Sequence, residues 1–143
     1  MKKYYSKSLE ETKEIAANFA KSLNESTVVL FDAEMGAGKT SFTQGFGKGL
    51  GVKRIINSPT FNLVKIYQGE RFTLNHLDCY RLENIKTDNG LSLIDFITDP
   101  NAITLIEWPQ YLYDDLKLIK NHYLVTIRIV NETEREITID YVN

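Results

Sequence analysis

Val28 to Leu50 reads VVLFDAEMGAGKTSFTQGFGKGL, and the fold follows from this stretch. Val28 to Phe31 is short, continuously apolar and rich in β-branched residues, as in a strand buried on both faces of a parallel sheet. Asp32 is read as its end. From Ala33 to Thr40 the chain spells A-E-M-G-A-G-K-T, the phosphate-loop pattern G-x-x-x-x-G-K-[ST] with alanine in place of the first glycine. Phe42, Phe46 and Leu50 follow at i, i+4 and i+8, one apolar face of a helix that Gly51 can end. Strand, loop and helix in this order are the context the motif needs; a glycine-rich turn with a chance lysine would need neither flank.

Such a loop works because backbone N–H groups at a helix N-terminus converge on one anion with the helix dipole behind them. Gly36 and Gly38 permit the curl, since a side chain there would obstruct the phosphate or demand a conformation costing about 1–2 kcal/mol. Lys39 supplies a mobile charge to the β/γ-phosphates, and the Thr40 hydroxyl can ligate Mg²⁺. Glu34, Met35, Gly36, Ala37, Gly38, Lys39, Thr40 and Ser41 are therefore the expected nucleotide cradle. Ala33 implies that its position lies in a backbone region alanine tolerates, or that mild strain is accepted.

Around this loop stands a chain of 143 residues, the size of one domain with a real core. Net charge is −2 with both signs interspersed, so no basic footprint argues for independent nucleic-acid binding. The single cysteine, Cys79, excludes an intrachain disulfide framework. No apolar run reaches transmembrane length or forms a signal-peptide core, and a cytoplasmic protein is expected. There is no repeat, linker or low-complexity tract, so residues 1–143 are read as one domain.

In chain order, Lys2 to Tyr5 suits a short edge strand, and Ser8-Leu9-Glu10-Glu11 has capping-box spacing. The helix that follows carries Leu9, Thr12, Ile15, Ala16, Phe19, Ala20 and Leu23 as one stripe towards the sheet, with Asn24 as its expected end. Beyond the phosphate-loop helix, Ser58-Pro59-Thr60-Phe61 is partly preformed by proline. It is either an ordinary turn or, with Thr60, a nucleotide-sensing switch. Phe61 to Tyr67 and Phe72 to Leu77 flank a turn and suit an antiparallel hairpin.

That hairpin exits through His76-Leu77-Asp78-Cys79-Tyr80-Arg81. Asp78, at a strand end, can reach the mouth of a sheet where Mg²⁺ and the γ-phosphate would sit, or can cap the next element. His76 reads as an ordinary strand residue, Cys79 as packing, and Arg81 as the partner of a carboxylate. Asp88 to Thr98 suits a short helix stopped at Asp99-Pro100. Ala102 to Ile106 is a second buried parallel strand, ending in Glu107-Trp108-Pro109. Glu107 is thereby the best Walker B acid, while Trp108 can shield the site, offer a docking face or belong to the core. Pro109 opens a short helix to Leu116, and Tyr123 to Val130 with Glu136 to Val142 form a terminal hairpin. The sum is an α/β fold: a single P-loop NTPase-like domain whose mixed central sheet carries flanking helices and antiparallel hairpins.

Taken together, E-M-G-A-G-K-T, S-P-T-F, H-L-D-C-Y-R and I-E-W-P, in this order within one small domain, resemble the TsaE family, formerly YjeE. The resemblance runs from the Ser8 helix to the strands after Trp108. It implies an ATPase required for threonylcarbamoyladenosine modification of tRNA, with Thr40 as magnesium ligand and Thr60 in a switch-like loop. It implies further that Asp78 and Glu107 with Trp108 are needed for hydrolysis; which acid orients water and which serves the metal stays open. TsaD and TsaB homologues are the implied partners, with tRNA reached only through them.

The expected chemistry is Mg²⁺-dependent cleavage of ATP, with Lys39 and the loop absorbing developing charge. No residue stands out as an arginine finger, so slow intrinsic turnover completed by a partner is expected. Two other readings are a small-molecule kinase and a nucleotide-gated adaptor that does not hydrolyse. Self-association would leave no mark in the sequence.

Overall fold

The computed structural model describes residues 1–34, 36–56, 64–78, 93–107 and 121–143. Its elements are β1 (Lys2–Ser6), α1 (Leu9–Ser22), β2 (Thr27–Ala33), α2 (Lys39–Gly49), β3 (Val64–Tyr67), β4 (Thr73–Asp78), α3 (Leu93–Ile97), β5 (Ala102–Glu107), β6 (His122–Ile129) and β7 (Arg135–Val142). The described strands make one sheet in the order β1-β7-β6-β2-β5-β4-β3. The expectations for Phe61 to Leu63, Asp88 to Ser92 and Pro109 to Leu116 lie outside the described residues.

Hydrophobicity decides the order. The two near-continuous apolar strands, β2 and β5, pair with each other in the middle; β2 runs parallel to both β5 and β6, and β4 runs parallel to β5. All six residues of β5 are buried, as a strand covered on both faces requires. The alternating strands take the edges, where β3 pairs with β4, and β7 with β6 and β1, all antiparallel. The terminal hairpin is thus no appendage, because β6 extends the parallel core.

One sheet face, with Val29, Phe31, Leu105, Val125 and Ile127, packs in a single cluster with Ala16, Phe19 and Ala20 of α1 and with Phe42 and Phe46 of α2. Phe42, Phe46 and Leu50 are fully buried, as their spacing predicts. Removing one such ring costs about 3–5 kcal/mol. Phe31 and Phe42 meet edge to face with centroids 5.0 Å apart, which ties α2 to the strand that feeds its loop. The helices themselves approach closely through glycine. A Cβ on Gly45 would run into the Lys13 backbone, and one on Gly49 into the Ala17 carbonyl.

Ser8 caps α1 by accepting from the Glu11 N–H at 3.1 Å, while the Glu11 carboxylate reaches back to the Lys7 N–H at 2.8 Å. Two expectations for this helix change. Its end is Ser22 rather than Asn24, because Leu23 turns extended and buries itself, and Arg71 donates to the carbonyls of Lys21 and Leu23. Leu9, placed on the core stripe by periodicity, is 53% exposed. It lies where a Cβ on Gly38 would be 3.8 Å from its Cδ2, beside the phosphate loop.

Candidate functional site

The site begins where β2 stops. The strand does not end at Asp32 but continues through Ala33, because β6 extends the ladder to an Ala33–Ile127 pair. Ala33 therefore sits in extended backbone, where glycine has no advantage. The left-handed conformations fall later, at Gly36 (φ +79°), a position the motif leaves open, and at Gly38 (φ +100°), the glycine the motif keeps. Among the described residues, a Cβ on Gly36 would meet no atom within 4 Å. Glycine is needed there for its conformation.

Gly38 is the N-cap of α2 and no side chain caps it. The first-turn N–H groups, Thr40 and Ser41 among them, have no intrahelical carbonyl to bond, so an anion is their natural acceptor. Thr40 is exposed, and Lys39 and Ser41 are half-buried. Ala37 is buried and donates its N–H to the Glu34 carbonyl at 3.0 Å, closing the turn.

The acids come from the two strands on one side of β2. In the ladders, Phe31 is registered with Glu107, and Asp78 with Glu107. Glu107 closes β5 and Asp78 closes β4, so both acids stand at the carboxyl ends of parallel strands, the edge at which α/β sheets bind ligands. The loop leaves β2 two residues past Phe31, about 7 Å further along the strand. Glu107 is only 6% exposed, and its Oε1 lies 3.0 Å from Nε2 of His76, itself 1% exposed. A buried carboxylate needs such a partner.

On the other side of β2, the β6–β7 hairpin grips the loop with two arginines. Arg128 reaches Asp32 Oδ2 at 3.3 Å and Glu34 Oε1 at 4.0 Å, and the Ile129 N–H donates to Glu34 Oε2 at 3.5 Å. Arg135 donates from Nε to the Ala37 carbonyl at 3.2 Å, and from Nη1 to the Asn131 and Glu134 carbonyls at 2.7 and 2.9 Å. The exposed ion pairs contribute little, but the Arg135 bonds fix the carbonyl at the crest of the loop to the hairpin.

The structure thus brings Gly36, Ala37, Gly38, Lys39, Thr40 and Ser41 into one loop and sets Glu107 and Asp78 side by side on neighbouring strands. Met35, Thr60 and Trp108 lie outside the described residues. Glu34, expected in the cradle, directs its carboxylate to the hairpin. Sequence reasoning missed His76, Arg128 and Arg135. The first had a usable signal, standing two residues before Asp78 and so on the same strand face as Asp78's position. The arginines had none, since Arg128 and Glu34 stand 94 positions apart (128 − 34) and Arg135 and Ala37 98.

No group of three or more His, Cys, Asp and Glu side chains that could hold a metal occurs among the described residues. The donors at hand are the exposed Thr40 hydroxyl and a carboxylate, a sparse all-oxygen set. That set fits magnesium, which keeps several waters and leans on substrate phosphates. A groove of about 710 Å³ lined by Tyr4, Phe19, Tyr123 and Tyr141 contains none of the loop residues.

A glycine loop running from a central parallel strand into a helix, with acids on the adjacent strand tips, defines a P-loop-like α/β domain. The crystal structure of Bacillus subtilis YdiB has the same fold, with a TM-score of 0.83 at 31% identity, covering 99% of this chain and 86% of that one. The family model for the threonylcarbamoyl adenosine biosynthesis protein TsaE matches residues 6–137, and the chain belongs to the TsaE family. It is 38% identical over 129 residues to the tRNA threonylcarbamoyladenosine biosynthesis protein TsaE of Bacillus subtilis, covering 90% of this chain and 78% of that protein. The Treponema pallidum protein of the same name is 33% identical over 136 residues, covering 94% and 96%.

Proposed function

We propose that this protein hydrolyses ATP in a magnesium-dependent reaction that serves the threonylcarbamoyladenosine modification of tRNA. One observation carries the reading: Glu107 ends the strand next to the one that feeds the glycine loop, and Asp78 is registered with it at the tip of the following parallel strand. In this reading the N–H groups of the loop and the first turn of α2 bind the phosphates, and Lys39 takes up charge that develops on the γ-phosphoryl group. Thr40 and one of the two acids hold magnesium, which when bound neutralises the β- and γ-oxygens. The other acid orients the attacking water. Thr60 senses the nucleotide and Trp108 communicates with a partner. Turnover is slow alone and is completed by TsaD and TsaB homologues in the cytoplasm, which this protein resets between modification cycles. It touches tRNA only through them.

The test is phosphate release from ATP with and without Mg²⁺, alongside nucleotide binding, for the wild type and for Glu107→Gln. The expected result is binding retained within a few-fold while turnover falls by about 10²-fold or more. Equal turnover in the two proteins would remove Glu107 from the chemistry. Transfer of labelled γ-phosphate to a nucleoside or sugar would instead establish a kinase.

A further inference from the structure

His76 is among the most deeply buried polar side chains described, yet the chemistry above gives it no task. Its Nε2 lies 3.0 Å from Glu107 Oε1, while its Nδ1 is buried with no hydrogen-bond partner among the described residues. Bonding to a carboxylate oxygen requires Nε2 to carry the proton. The ring is therefore oriented by Glu107, and Glu107 by the ring.

A packing role explains this poorly. His76 is registered with Leu105, and Leu74, the preceding residue on the same strand face, is fully buried. A leucine at position 76 would fill such a site without leaving a ring nitrogen unpaired, a state that costs free energy. The hydrogen bond to Glu107 is what the imidazole adds over an apolar residue. It engages Oε1 of the carboxylate.

We infer that His76 is the positioning residue of the site: its Nε2–H holds Glu107 by Oε1 so that the second carboxylate oxygen meets magnesium or the attacking water in one fixed orientation. This rests on the hydrolytic reading above for its consequence, but the contact itself does not. Residues that orient a metal-site carboxylate in this way typically change metal affinity or activity by about 10–100-fold when removed.

The experiment compares wild type, His76→Leu and His76→Gln, the last of which can place an amide N–H where Nε2 stands. Three quantities are read: melting temperature, kcat and KM for ATP hydrolysis, and the Mg²⁺ concentration that half-saturates binding of a fluorescent ATP analogue. His76→Leu is expected to lower the melting temperature, because it leaves the buried Glu107 carboxylate without its donor, and His76→Gln to recover part of the loss. His76→Leu also lowers kcat, or raises the Mg²⁺ requirement, by about 10–100-fold with little change in KM, and His76→Gln restores the altered quantity to within a few-fold. Wild-type kcat and Mg²⁺ dependence in His76→Leu would overturn the inference. So would a His76→Gln no better than His76→Leu. If the wild-type protein hydrolyses no ATP at all, the hydrolytic reading fails by itself, and the Mg²⁺ titration alone decides the role of His76.

Discussion

The two halves of the site are preorganised by opposite means. The phosphate loop presents backbone: two glycines in left-handed conformations and an exposed threonine. The acid side presents a side chain that is almost sealed, with Glu107 and His76 held together at the bottom of the sheet edge. A loop made of N–H groups can wait in water because each is cheaply hydrated until an anion replaces the water. In the proposed reaction Glu107 serves a cation or the attacking water at one angle, and a carboxylate cannot wait for that in the same way. Burial removes its alternatives, and a fixed donor offsets the desolvation that burial brings.

That contrast predicts a graded set of failures. Lys39→Ala should be the most severe, lowering phosphate release by about 10²–10³-fold while circular dichroism and melting temperature stay close to wild type. Turnover unchanged in that variant would remove the loop from the chemistry.

Two glycine substitutions separate the loop from its support. Gly45→Ala drives a methyl into the Lys13 backbone and should destabilise the domain by about 3 kcal/mol, read in denaturant unfolding, by forcing α1 and α2 apart. Gly38→Ala meets only Leu9 at 3.8 Å and should cost about 1–2 kcal/mol of conformational strain, but with a disproportionate loss of nucleotide affinity. If both variants lost affinity and stability in the same ratio, loop geometry and helix packing would be one unit rather than two.

The smallest effect is expected at the hairpin. Arg135→Ala removes the Nε donor from the Ala37 carbonyl and should cost about 0.5–1 kcal/mol of stability with at most a few-fold weaker nucleotide binding. Full nucleotide affinity in Arg135→Ala would mean that the loop holds its own shape and that the hairpin only adds to the fold.

The same contrast explains what could be read from the sequence. Local physics was legible: the capping box at Ser8, the apolar face of α2, the glycine loop and the buried strand ending in Glu107 each depend on residues within a few positions of one another. Contacts made across the sheet were not. Ala33 looked like a departure from the motif because only the ladder to Ile127 reveals its extended backbone. Leu9 fitted a helical stripe, and only the path of the loop shows that its side chain lies beside Gly38 rather than in the core. His76 read as an ordinary strand residue because its partner is 31 positions away, on a strand that becomes its neighbour only through the parallel pairing. The glycines at 45 and 49 serve the approach of α1, a demand that helix propensity alone would oppose.

The proposed function makes repeated rounds of tRNA modification depend on nucleotide cleavage at this site. The direct measurement is the number of threonylcarbamoyladenosine residues formed per TsaB–TsaD complex in a reconstituted reaction with ATP, comparing wild-type protein with Glu107→Ala. Many rounds are expected with the wild type and a halt after about one round with the variant. Sustained modification by a Glu107→Ala protein that no longer cleaves ATP would contradict it and make the domain a nucleotide-gated adaptor.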